Sequence, residues 1–314
     1  MSTPIIQTDS VATAGVGSSG PRRVRWAAVL LFVVIAYGLA WAIASPLWFS
    51  GGLAPGGKIN PLLFPLGVAV MATPAIAALI VTRFVLKPTR MARYLGLVPL
   101  PPWRRTLGYS ALGLVIPWVI GIAALLVASA TGVVTLHPGP DTAGILLSIP
   151  VASVLTAIAA FGEELGWRGF LLPTLRPLGT WPALLISGAI WGPWHAPLIL
   201  LGYNYGLYDI RGVILMTITT TIAGLLFGWF RMRTGLVYPS SFAHGSLNGS
   251  AGSFVAAFLP AGAASIVPTS LGWVGWLVTA ILIAGLVLGR TYHWATDRRR
   301  STAALTATDE PAVS

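Results

Sequence analysis

The chain has 314 residues, of which 55% are hydrophobic and only 9% charged, and a formal net charge of +11. An average soluble domain is about 25% charged, so a water-soluble core is excluded. No cysteine occurs, which removes disulfide frameworks, thiolate metal sites and cysteine nucleophiles.

In chain order, the first 20 residues are small or polar without an apolar period, and 1–25 reads as a disordered tail. Eight apolar segments follow at 26–45, 62–82, 107–130, 144–172, 182–202, 212–230, 236–259 and 271–289. Runs of roughly 20 apolar residues can cross a hydrocarbon core of about 30 Å as helices. The fold class is therefore all-α: a polytopic membrane bundle of about eight transmembrane helices occupying 26–289. The first segment has a basic flank and ends in "AIAS", but its apolar stretch is too long for most cleaved signals and reads as a retained anchor. A second tail, basic and then disordered, covers 290–314.

The basic residues sort by side. Arg22, Arg23 and Arg25, the group from Arg83 to Arg105, Arg168 and Arg176, Arg231 and Arg233, and Arg290 with Arg298 to Arg300 make 17 of the 19 Lys and Arg; Lys58 and Arg211 fall opposite. The positive-inside rule then puts both termini in the cytoplasm. It explains the basicity without nucleic acid. "GLAPGGKI", Gly52 to Ile59, imitates a phosphate-binding loop but has Ile59 where a magnesium-binding Ser or Thr belongs.

Six of the eight acidic residues lie in tails or loops; the other two, Glu163 and Glu164, stand inside a span. Each intramembrane carboxylate costs on the order of 2.5 to 3.5 kcal/mol on insertion scales and normally faces a bundle interior or wet cavity. Arg168 follows Glu164 by four residues, a helical ion-pair spacing, while Glu163 is rotated about 100° away. His195 and His244 also lie within spans, and Asn248 shares a helical face with His244. Counted from the cytoplasmic ends of their segments, Glu163, His195 and His244 are roughly 12 to 20 Å deep, so they are able to meet at one level. Gly162 and Gly166 flank the glutamates, and Gly245 and Gly249 flank Asn248, in the small-xxx-small spacing that lets membrane helices touch. His137 and His293 read as solvated. The threonines of 217–224 read as bonding their own helix carbonyls, and the sequon at Asn248 is discounted because it lies in a span. A purely structural polar network would account for any one of these residues, but less well for the set.

"EELGWR" (Glu163 to Arg168), "WGPWH" (Trp191 to His195) and "HGSLN" (His244 to Asn248) resemble, in order, the EExxxR, FxxxH and HxxxN motifs of the CAAX-protease and bacteriocin-processing family of intramembrane endopeptidases, the Rce1-like group. The resemblance covers about 144–260. Trp191 stands where the family usually has Phe, which keeps an aromatic for packing while changing substrate fit. The resemblance implies an eight-helix bundle with a cavity facing the cytoplasm. It also implies that Glu163 with His195 activates a water, that His244 and Asn248 stabilise the oxyanion, and that Glu164 and Arg168 hold and tune this machinery. The substrate would be a peptide or membrane protein in the bilayer. No cofactor is expected, with zinc on Glu163, His195 and His244 as the alternative. Two other functions stay open: an idle scaffold or bacteriocin-immunity factor on the same fold, and, less favoured, a transporter using the two glutamates as proton-coupling acids. Oligomeric state and substrate identity are not readable.

Overall fold

The computed structural model describes residues 23–98, 103–260 and 270–294. Most of the two tails read at 1–25 and 290–314 lies outside the described residues. All eight apolar segments form helices, and no strand occurs among the described residues. We label the helices α1 (Trp26–Phe49), α2 (Leu63–Leu86), α3 (Trp103–Ala130), α4 (Thr142–Leu178), α5 (Thr180–Trp194, resuming at Ala196–Ile199), α6 (Ile210–Thr234), α7 (Tyr238–Phe258) and α8 (Trp273–Leu288). The protein is a multi-pass helical membrane bundle. Closing every backbone hydrogen bond within a helix is what a lipid environment demands.

Five of the eight, α1 to α4 and α6, are long and apolar enough to cross a membrane on those grounds alone. The other three depart from the sequence expectation for different reasons. Helix α5 runs 15 residues before Pro193 and Pro197 bracket an interruption at His195. Helix α8 is 16 residues long. Helix α7 has 21 residues, but its Ser, Gly, His and Asn content makes it too polar, and its buried positions lie all around it.

Lipid tails are as apolar as leucine, so helix association depends on close packing rather than on exclusion of water. Helix α7 packs most extensively on α4 and α3, and α6 on α5. Glycine makes these approaches possible: a Cβ on Gly249 of α7 would lie 2.7 Å from the Ser153 nitrogen of α4, and one on Gly113 of α3 would lie 2.6 Å from the Pro239 carbonyl of α7. Gly162 and Gly166 of α4 press in the same way on Met71 to Pro74, where α2 breaks at Ala72. Helix α1 buries a stripe at Phe32, Ala36, Ala40, Ala44 and Leu47 and turns Leu30, Val34 and Trp41 outward, a one-sided pattern at helical period.

Threonines of α6 bond back as expected, Thr217 to the Val213 carbonyl and Thr221 to the Thr217 carbonyl. Asp209, just outside α6, caps its first turn: its carboxylate accepts from the Arg211 guanidinium and backbone N–H, contacts that hold it below its ordinary pKa. His293 departs from its solvated reading, since its Nε2 meets Arg233 Nη1 at 2.6 Å. Arg231, read as a flanking cation, is instead buried.

Candidate active site

Glu163 and Glu164 end the regular part of α4. The next seven residues, Leu165–Leu171, are wound as a π-helix, and everything from Glu163 to Leu172 is buried. Wider turns of this kind recur at functional sites because they re-aim side chains. Here the Leu172 N–H reaches the Trp167 carbonyl, five residues back. Continuing that pattern would give the Arg168 carbonyl the N–H of residue 173, but Pro173 has none. Arg231 of α6 supplies the donor instead: its Nε lies 2.9 Å from the Arg168 carbonyl oxygen and its Nη2 3.1 Å from that of Tyr94.

The two glutamates take separate partners. Glu164 Oε1 accepts from Arg168 Nη1 at 2.8 Å and faces His244 Nδ1 at 3.0 Å. Its Oε2 is buried and takes no hydrogen bond among the described residues. Glu163 Oε2 accepts from the indole N–H of Trp191 at 2.7 Å and, at 3.4 Å, from that of Trp167. Glu163 Oε1 faces His244 Nε2 across 3.9 Å. Helix α7 therefore inserts His244 between the two carboxylates, one nitrogen toward each.

A carboxylate only accepts hydrogen bonds, so the contact with Glu164 assigns a proton to His244 Nδ1 and turns Nε2 toward Glu163. Aromatic rings hold this imidazole. Phe227 of α6 stacks on it at 5.5 Å and 23°, and Trp191 meets it edge-on at 5.1 Å. The Arg168 guanidinium lies over Trp191 at 4.3 Å and over Phe227 at 5.2 Å.

His195 sits at the interruption of α5 and is half-buried. Its Nδ1 lies 3.2 Å from the Trp191 carbonyl, and its ring packs on Trp194 at 4.7 Å and Trp191 at 5.8 Å. Among the described residues it makes no contact with Glu163 of ion-pair length, so the imidazole paired with that carboxylate is His244. Asn248 lies one turn beyond His244 on α7 with its side chain exposed. Glu163, Glu164, Arg168 and His244 thus form one buried cluster and His195 joins it through Trp191, whereas Asn248, exposed, lies outside it. Among the described residues no three His, Cys, Asp or Glu side chains gather as a metal-binding group.

Comparison with known proteins fits this geometry. The family model of the type II CAAX prenyl endopeptidase Rce1-like proteins matches residues 143–250. Over that segment the chain is similar to the Rce1-like family. The segment contains all six residues named above. Over 58 residues the chain is 38% identical to CAAX prenyl protease 2 of Methanococcus maripaludis, a stretch amounting to 18% of this chain and 21% of that relative. The chain therefore spans about a fifth of the length of the curated relative it matches. The matched segment takes in most of α4, all of α5 and α6, and the part of α7 that bears His244 and Asn248.

The sequence reading passed over Trp167, Phe227 and Arg231. Trp167 and Phe227 carry no assignment there, and Arg231 reads as a flanking charge. One signal for Trp167 was available: it follows Glu163 by four residues and is an aromatic able to donate a hydrogen bond.

Proposed function

We propose that this protein is an intramembrane endopeptidase that hydrolyses peptide bonds of membrane-associated peptides or proteins with a water activated by Glu163. The observation that carries this reading is the 3.9 Å gap between two buried side-chain atoms, Glu163 Oε1 and His244 Nε2. The gap is too long for a direct hydrogen bond and suits one water held between the two. Such a water turns a lone pair outward, toward a scissile carbonyl.

In the proposed reaction Glu163 takes a proton from the water as its oxygen adds to the carbonyl carbon. The tetrahedral oxyanion collapses, the C–N bond breaks, and Glu163 returns the proton to the leaving amine, giving a carboxylic acid and an amine. Glu164 fixes the His244 ring through Nδ1, and Arg168 balances the charge of Glu164. Asn248 offers neutral N–H donors to the oxyanion. His195 gives its Nδ1 proton to the Trp191 carbonyl, so it presents an acceptor Nε2. That suits the place beside Glu163 implied by the resemblance better than an oxyanion donor. His244, with Nδ1 toward Glu164 and Nε2 across the gap from Glu163, has a geometry that favours holding the water over the oxyanion role. No step of the proposed reaction is routed through a metal.

The name of the archaeal relative suggests a substrate with a C-terminal CAAX sequence and a prenyl group. Peptide maturation and bacteriocin processing use the same bond chemistry. We propose a bacterial plasma membrane from the Ala- and Gly-rich composition, with both termini cytoplasmic from the distribution of the basic residues. A second reading, an idle scaffold or immunity factor, has one observation in its favour: Glu163 and His244 are 2% and 3% exposed, almost closed to any substrate.

The test is turnover by the purified protein of internally quenched peptides ending in a Cys-aliphatic-aliphatic-X sequence, farnesylated and unmodified. Glu163→Gln is expected to lower cleavage by about 10³-fold or more with the fold intact. Unchanged cleavage removes the peptidase reading, and rescue of a deletion strain by the same variant establishes the scaffold. Comparing membrane peptidomes of wild-type and variant cells identifies the natural substrate.

A further inference from the structure

We propose that Trp191 is the positioning residue of Glu163, reserving one oxygen of the carboxylate for chemistry by occupying the other. This rests on the peptidase reading above.

A carboxylate has two nearly equivalent oxygens and rotates freely unless something distinguishes them. Here two indole N–H groups converge on Oε2, from Trp191 at 2.7 Å and from Trp167 at 3.4 Å. The shorter contact has the length of a charge-assisted bond. Oε1 has no such donor and faces His244 Nε2. The asymmetry therefore selects the oxygen that takes the proton from water.

Trp191 is itself immobilised. Its ring is 2% exposed, the Arg168 guanidinium covers one face at 4.3 Å, and His244 and Phe227 pack around it at 5.1 and 6.1 Å. Its carbonyl is 3.2 Å from His195 Nδ1. Five of the six candidate residues, all but Asn248, thus touch Trp191 or a direct partner of it. Phenylalanine, the usual residue of the motif, would fill most of this space but has no N–H. The chain has exchanged a packing residue for one that also orients its base.

The experiment uses the full-length protein in detergent micelles and the Trp191→Phe variant, which keeps an aromatic ring and deletes the donor. A freed carboxylate samples rotamers that point Oε1 away from the water. The expected result is a fall in kcat of about 10- to 100-fold with KM within about twofold. Purely structural damage would instead lower thermal stability and move both constants together. A second readout needs no activity. With the tryptophans 15N-labelled at the indole, the Trp191 N–H resonance is identified by its loss in Trp191→Phe and is expected downfield of ordinary indoles. It should move upfield in Glu163→Gln, where a neutral amide replaces the carboxylate. Wild-type kcat in Trp191→Phe while Glu163→Gln is inactive overturns this proposal and leaves the peptidase reading intact. A Trp191 resonance that ignores Glu163→Gln overturns it whatever the activity. Full turnover by Glu163→Gln overturns the reading on which it rests.

Discussion

The two halves of α4 are one continuous helix under opposite rules. From Thr142 to about Ala160 the backbone is regular and one face carries Leu147, Val151, Leu155 and Ile158 outward, each more than 60% exposed. From Glu163 to Leu172 no residue is exposed, the backbone is π-wound over Leu165–Leu171, and two carboxylates, a guanidinium and an indole are packed together. The first half needs only to be apolar toward lipid and small toward α7. In the second half each polar group needs a particular partner, because burial without one costs several times what a hydrogen bond normally contributes. Chemistry is confined to the half where partners, rather than hydrophobicity, set the structure.

Substitutions can break or sharpen this contrast. Glu163→Gln, discussed above, has the largest expected effect, on activity alone. Next comes Glu164→Gln, which leaves Arg168 buried beside a neutral amide. Removing one partner of a buried ion pair typically costs about 3 to 5 kcal/mol, and an equilibrium unfolding titration in mixed micelles should register a loss of that size. A wild-type midpoint would mean that the second half of α4 is no more partner-dependent than the first. Gly249→Ala tests the α7-facing side of the first half. Its Cβ would fall 2.7 Å from the Ser153 nitrogen, and overpacking of this kind costs about 1 to 3 kcal/mol. Ile158→Ala, on the lipid face at 70% exposure, should change stability by no more than about 0.5 kcal/mol. If Ile158→Ala proved as damaging as Gly249→Ala, the division of α4 into lipid and protein faces would fail.

Much of this was legible in the residues. Hydropathy located all eight helices, because a membrane crossing needs a long apolar run and little else. Two adjacent glutamates in such a run marked the site, and the i, i+4 spacing of Glu164 and Arg168 anticipated their 2.8 Å bond. Gly245 and Gly249 announced the contact with α4. Other features left no periodic trace. The π turn arises from the balance between Gly166, Gly169, Pro173 and their neighbours on other helices, which no local pattern encodes. The break at His195 did have a local cause in Pro193 and Pro197, yet an apolar window passes over both. The exposure of Asn248 and the pairing of Glu163 with His244 rather than His195 depend on helix rotation, and hydropathy along a buried polar helix such as α7 does not define that rotation.

The carbonyl of Arg168 is the counterpart of these missing signals. Deprived of an N–H by Pro173, it takes its donor from the buried Arg231 on another helix. Sliding α6 along α4 by a single residue would strip that oxygen of its donor, so the guanidinium works as a peg that keeps the two rods in axial register.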